Sequence, residues 1–193
     1  MLRLLPIAFL ALIFLLGGSS RIEVRSNALV VPLGFAFLAI GALIVQPDHL
    51  RRHRGAFLFF LFAIGLVCLY LIPLPASIWS SIPGHQPFVE VAASAGIPVG
   101  WRPLSMTPDL TWLSLVSLAT PLAAFILAAS FAGKQEYLVA ALIAIGCLSG
   151  LLGMLQILGP NGGQFYFYRI TNADSAVGLF ANRNHQATLL ACL

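Results

Sequence analysis

Residues Pro47–Leu74 read "PDHLRRHRGAFLFFLFAIGLVCLYLIPL". Arg51, Arg52 and Arg54 crowd the opening, and nothing charged follows from Ala56 to Leu74. About 20 apolar residues in a helix cross the roughly 30 Å hydrocarbon core of a bilayer. A charge at the centre of such a helix costs about 2.5–3.5 kcal/mol. The stretch therefore predicts a membrane span with a basic flank, and the rest of the chain can be read outward from it.

Similar runs recur at residues 4–18, 28–46, 110–132 and 137–158, and another opens at 186–193. Of the 193 residues, 60% are hydrophobic and 8% charged, whereas soluble domains carry about 25% charged residues. The ten basic and six acidic side chains fall between the runs, and mean hydropathy is +0.96. A water-soluble fold of this size could not cover its surface with so few charges. The expected fold is an all-α, polytopic transmembrane helical bundle, a single domain over residues 1–193 with five spans and the start of a sixth. The first run follows Arg3 and lacks a small-x-small cleavage site, so it is expected to be a retained anchor rather than a signal peptide. Cys68, Cys147 and Cys192 each lie in an apolar run and read as small buried side chains.

Net charge is +4, but no basic stripe with interleaved aromatics suggests nucleic acid. The charge instead sets orientation. The cluster from Arg51 to Arg54 belongs in the cytoplasm, together with the N-terminus and the turn at Lys134. Three segments then face outward: the one around Glu23, Pro75–Asp109 and Gly159–His185. In the second, Trp79 and Trp101 suit the membrane–water interface. "MTPD" (106–109) marks a helix start, with Thr107 as N-cap, Pro108 in the first turn and Asp109 at the positive dipole end. "GCLSG" (146–150) and Gly153 make a small-residue face for close helix packing, within the chain or between copies.

The third outward segment holds the chemistry. Phe165, Tyr166, Phe167 and Tyr168 precede Arg169. Such a group stacks on sugar rings and holds an anion, or forms an interfacial aromatic belt with a snorkelling arginine. Further on, "GLFANRNHQATLLACL" (178–193) places Asn182, Arg183, Asn184 and His185 at the mouth of the last helix. Backbone donors beside a fixed cation favour phosphate; equally, Asn182 or Asn184 caps the helix.

The segment "VGLFANRNHQATLL" resembles the G-x-F-x-N-x-N-H-x-A signature of the O-antigen ligase/polymerase superfamily. "LIPLPASIWSSIPG" and "WRPLSMTPDLTW" are similar to the third-span exit and next-span entry of its bacterial members. Gln186 stands where that family often has a bulky apolar residue. The resemblance implies a GT-C-like membrane glycosyltransferase of the bacterial inner membrane, with a cytoplasmic N-terminus. It would move a glycan from undecaprenyl diphosphate to lipid A-core or a growing polysaccharide at the periplasmic face. Neither cofactor nor metal is implied. The outward segments hold four separated carboxylates (Glu23, Glu90, Asp109, Asp174) and no D-x-D pair, which suits arginine rather than a divalent cation on the diphosphate.

Arg169 and Arg183 are the expected diphosphate contacts and Arg102 a third, with Asn182, Asn184 and His185 shaping the site. The catalytic base is expected in a large loop that the family carries after further spans. Read this way, the chain is the N-terminal part of a longer protein and is expected to be inactive alone. The competing readings are a multi-span transporter and a non-catalytic membrane subunit of a polysaccharide export system.

Overall fold

The computed structural model describes residues 4–19, 24–131, 135–160 and 163–193. Arg3, Glu23 and the turn at Lys134 lie outside these residues. About 69% of the described residues are helical, with almost no strand among them. The helices are α1 (Leu5–Leu16), α2 (Asn27–Ile44), α3 (Pro47–Arg52), α4 (Arg54–Leu71), α5 (Ala76–Ser81), α6 (Gln86–Ser94), α7 (Pro108–Ser117), α8 (Ala119–Ser130), α9 (Gln135–Leu158) and α10 (Arg183–Ala191). Two short strands, β1 (Pro73–Leu74) and β2 (Arg102–Pro103), complete the described elements.

Among the described residues, three helical stretches are long and apolar enough to cross a membrane: Arg54–Leu71, Pro108–Ser130 and Glu136–Leu158. They coincide with three of the five expected spans. The other two are shorter. At 1.5 Å per residue, the 12 residues of α1 reach only about 18 Å, and the apolar part of α2 is Ala28–Ile44.

The 108–130 stretch is interrupted at Leu118, where α7 gives way to α8. Pro121 explains the break, because it has no N–H for the Ser117 carbonyl and its ring crowds that oxygen. Thr107 occupies the N-cap of α7 but makes no side-chain capping bond. The Ser105 hydroxyl accepts from the Thr107 N–H at 3.2 Å and pairs with the Thr111 hydroxyl at 2.6 Å.

The chain divides into two compact units, residues 1–53 with 119–193, and residues 54–118. In the first, Phe9, Ala123 and Leu127 form a buried core, joined by Leu5, Ile13, Phe37 and Leu38. The rings of Phe9 and Phe37 meet with centroids 4.8 Å apart. Helices α2 and α8 approach closely at Gly34, where an added Cβ would lie 2.5 Å from Thr120 Oγ1 and 3.0 Å from the Thr120 backbone. Backbone cannot swing aside as a side-chain tip does. Gly34→Ala should therefore part the two helices and cost about 1–3 kcal/mol. An unchanged unfolding midpoint in detergent would show that the helices separate freely here.

In the second unit α4 packs against α7, and β1 pairs antiparallel with β2 in the register Pro73↔Pro103, Leu74↔Arg102. Trp79, on α5, is packed within the protein: it is 2% exposed, and its Nε1–H donates to the Pro103 carbonyl at 2.9 Å. Trp101 is exposed.

The cysteines correct the sequence reading, since all three are free thiols and exposed. Sulfur is apolar enough to sit on an outward helix face as readily as in a core.

Candidate functional site

Residues 163–182 link α9 to α10, and α9 is built to hold them. Ser149, Gly153 and Gln156 recur at spacings of four and three, which places them on one helix face. Gln156 is 1% exposed. Its Nε2 donates to the carbonyls of Phe165 and Gly178, each at 2.9 Å. Its Oε1 accepts from the N–H groups of Val177 and Gly178 at 2.9 and 2.8 Å. One side chain thus satisfies four backbone groups of the link.

Two turns earlier on α9, the Ser149 hydroxyl donates to Gln186 Oε1 at 2.5 Å and accepts from the Leu179 N–H at 3.0 Å. Both Ser149 and Gln186 are buried, so the network ties α9, the link and α10 together. Gly178 lies between them with φ +56. The small-residue face is used within the chain: Gly146 and Gly150 face Leu193 and Leu190, and Gly153 faces Ala176.

The aromatic run alternates. Tyr166 donates its hydroxyl to the Gln156 and Ser175 carbonyls at 3.3 Å, and Phe167 is exposed. Burial pushes the Tyr168 phenol above its ordinary value, while hydrogen bonds with the Gly18 backbone and the Ser26 side chain pull it down. The link is also pinned near the end of α1, where the Ala181 N–H donates to the Gly18 carbonyl at 2.8 Å and Phe180 meets Phe14 edge-on.

Helix α10 begins at Arg183, three residues before the expected start of the last span. Asn182 is its N-cap, and the side chain accepts from the Asn184 N–H at 2.9 Å. The Arg183 N–H donates to Asn172 Oδ1 at 3.2 Å. The Asn182 carbonyl takes the N–H groups of His185 and Gln186 at 3.1 and 3.3 Å. The amides of the first turn therefore all have acceptors within the chain, and an anion here would be met by side chains.

Arg169, Arg183, Asn184 and His185 are all exposed. Among the described residues, the Arg183 guanidinium has one hydrogen-bond acceptor, the Ser175 hydroxyl at 3.5 Å, and that hydroxyl donates to Asp174 at 3.2 Å. Arg169 has no acceptor among the described residues. His185 rests edge-on against Phe180, with centroids 6.1 Å apart.

Arg102 belongs to the second unit and a different setting. Its guanidinium lies 5.5 Å from the centroid of the Trp79 ring, a cation–π distance. His85 lies tilted against the same indole, with centroids 4.3 Å apart, and donates Nδ1–H to the Trp79 carbonyl at 2.9 Å.

Ser149, Gln156 and Gln186 were missed from the sequence as site-building residues. Their signal was two polar side chains seven residues apart inside an apolar run, where each needs a partner. No protein-family model, curated protein or solved structure matches this chain.

Proposed function

We propose that this protein is an inner-membrane glycosyltransferase of the O-antigen ligase/polymerase type, acting on a glycan carried by undecaprenyl diphosphate. In this reading α1 and α2 span the bilayer with the three longer stretches, α10 opens a sixth span, and the N-terminus is cytoplasmic. The acceptor is lipid A-core or a growing polysaccharide.

The observation that carries the reading is the loop anchored by Gln156 and the head of α10 that follows it: Arg169 on the first and Arg183 on the second are exposed, with almost no acceptor among the described residues. An exposed guanidinium on a fixed backbone is ready for a bidentate partner such as a diphosphate. In the transfer, an acceptor hydroxyl attacks the anomeric carbon and gives its proton to a general base, the bond from that carbon to the diphosphate oxygen breaks with its electron pair going to that oxygen, and the carrier diphosphate leaves. Arg169 and Arg183 would offset the charge gathering on that leaving group.

The test uses the purified chain in detergent and a synthetic polyprenyl diphosphate-linked sugar. Arg183→Gln and Arg169→Gln should each weaken binding about 10-fold or more, since a hydrogen bond to a charged group contributes about 1.5–3 kcal/mol. Unchanged affinity in both variants would remove the arginines from the site and the transferase reading with them.

A further inference from the structure

We propose that α3 and its basic flank form a docking surface for anionic phospholipid headgroups. In the chain this six-residue helix lies between two apolar helices, α2 and α4, so it sits where a membrane chain turns at the headgroup layer. Arg51 and Arg52 are exposed on it. Arg51 donates to Asp48 across 3.4 Å, but the two side chains are 82% and 85% exposed. A pair so open to solvent is weak and exchanges readily, which leaves Arg51 available to another anion.

Arg52 has no acceptor among the described residues, and Arg54 follows two positions later in the chain. From Pro47 to Arg54, three arginines are set against one aspartate. Between Arg52 and Arg54, His53 ends α3 with its Nε2 shielded from solvent and unpartnered among the described residues.

Basic side chains beside a membrane span are drawn to anionic lipid phosphates, and the guanidinium fork matches two oxygens of a phosphodiester. Orientation alone would need only the charge of this stretch. The proposal adds that individual headgroups are held on it. It rests on the membrane reading and is independent of the transferase reading.

The full chain in neutral detergent would be supplied with dioleoyl phosphatidylglycerol or with dioleoyl phosphatidylcholine, and its unfolding midpoint measured. Phosphatidylglycerol at about ten times its Kd should raise the midpoint by about 3–5 °C, and phosphatidylcholine should not. Arg51→Gln/Arg52→Gln should lose most of that shift, whereas Arg25→Gln, an exposed arginine on another loop, should keep it. If the double variant is less stable without lipid, counting phosphatidylglycerol retained by native mass spectrometry decides the matter independently of stability. Equal shifts from both lipids, a full shift in the double variant, or the same shift from inorganic phosphate would each overturn the proposal.

Discussion

Gln156→Leu should release residues 163–182 from α9 and cost about 4 kcal/mol or more of stability. Leucine nearly matches the volume of glutamine and improves the hydropathy of α9, so hydrophobic burial alone would predict a neutral or stabilising change. Hydrogen bonding predicts the opposite. The variant strands the carbonyls of Phe165 and Gly178 and the N–H groups of Val177 and Gly178, and a buried group left without its partner costs about 1–3 kcal/mol. Water reaching part of the link would reduce the sum, which is why the expectation lies at the lower end of the four-group range.

Gln156→Glu separates the two halves of the clamp. It keeps an acceptor for the two N–H groups and, when ionised, turns carboxylate oxygen toward the two carbonyls. It should also be strongly destabilising. Reversible unfolding in detergent would measure both variants, with protease cleavage within 163–182 as a local readout. A loss below about 1 kcal/mol for Gln156→Leu would mean that the link is held elsewhere. In the transferase reading, loosening the link also frees Arg169, so ligand affinity should fall along with stability.

The same residues show what could be read from the sequence. The three helical stretches long and apolar enough to cross a membrane were legible, because the absence of charge over about 20 residues has one main physical cause. The start of α7 was legible in "MTPD", though its bonds come from Ser105 and Thr111 rather than from the Thr107 side chain. Burial was not legible. In a water-soluble protein apolar residues mark the core, but lipid is as apolar as leucine, so outward and inward faces carry the same composition. Helix α4, apolar enough to cross a membrane, has no buried residue, and Cys68 on it is exposed.

The side chains that do face inward in α9 are its polar ones, Ser149 and Gln156, because lipid cannot satisfy them. Read as that constraint, their seven-residue spacing pointed to a partner segment. Arg102 is the opposite case, since nothing in the sequence near it foretold its place over the Trp79 ring.

Gly178→Ala should be nearly as damaging as the loss of Gln156, for a separate reason. The backbone there has φ +56, a left-handed conformation that costs a residue with a Cβ about 1–2 kcal/mol. The new methyl would also overlap the Ser149 hydroxyl and the Gln186 carboxamide. Neither is free to retreat, because they hydrogen-bond to each other. Overpacking of this kind adds about 1–3 kcal/mol, for an expected total of about 3–4 kcal/mol.

Gly84→Ala provides the control. Its φ is +89, yet a Cβ there meets nothing within 4 Å. It should therefore show the conformational cost alone, about 1–2 kcal/mol. The difference between the two alanine variants isolates the tightness of the seam among α9, the link and α10. Should Gly178→Ala cost no more than Gly84→Ala, the Ser149–Gln186 pair yields to a methyl group, and the rigid placement of Arg183 at the head of α10 loses its support.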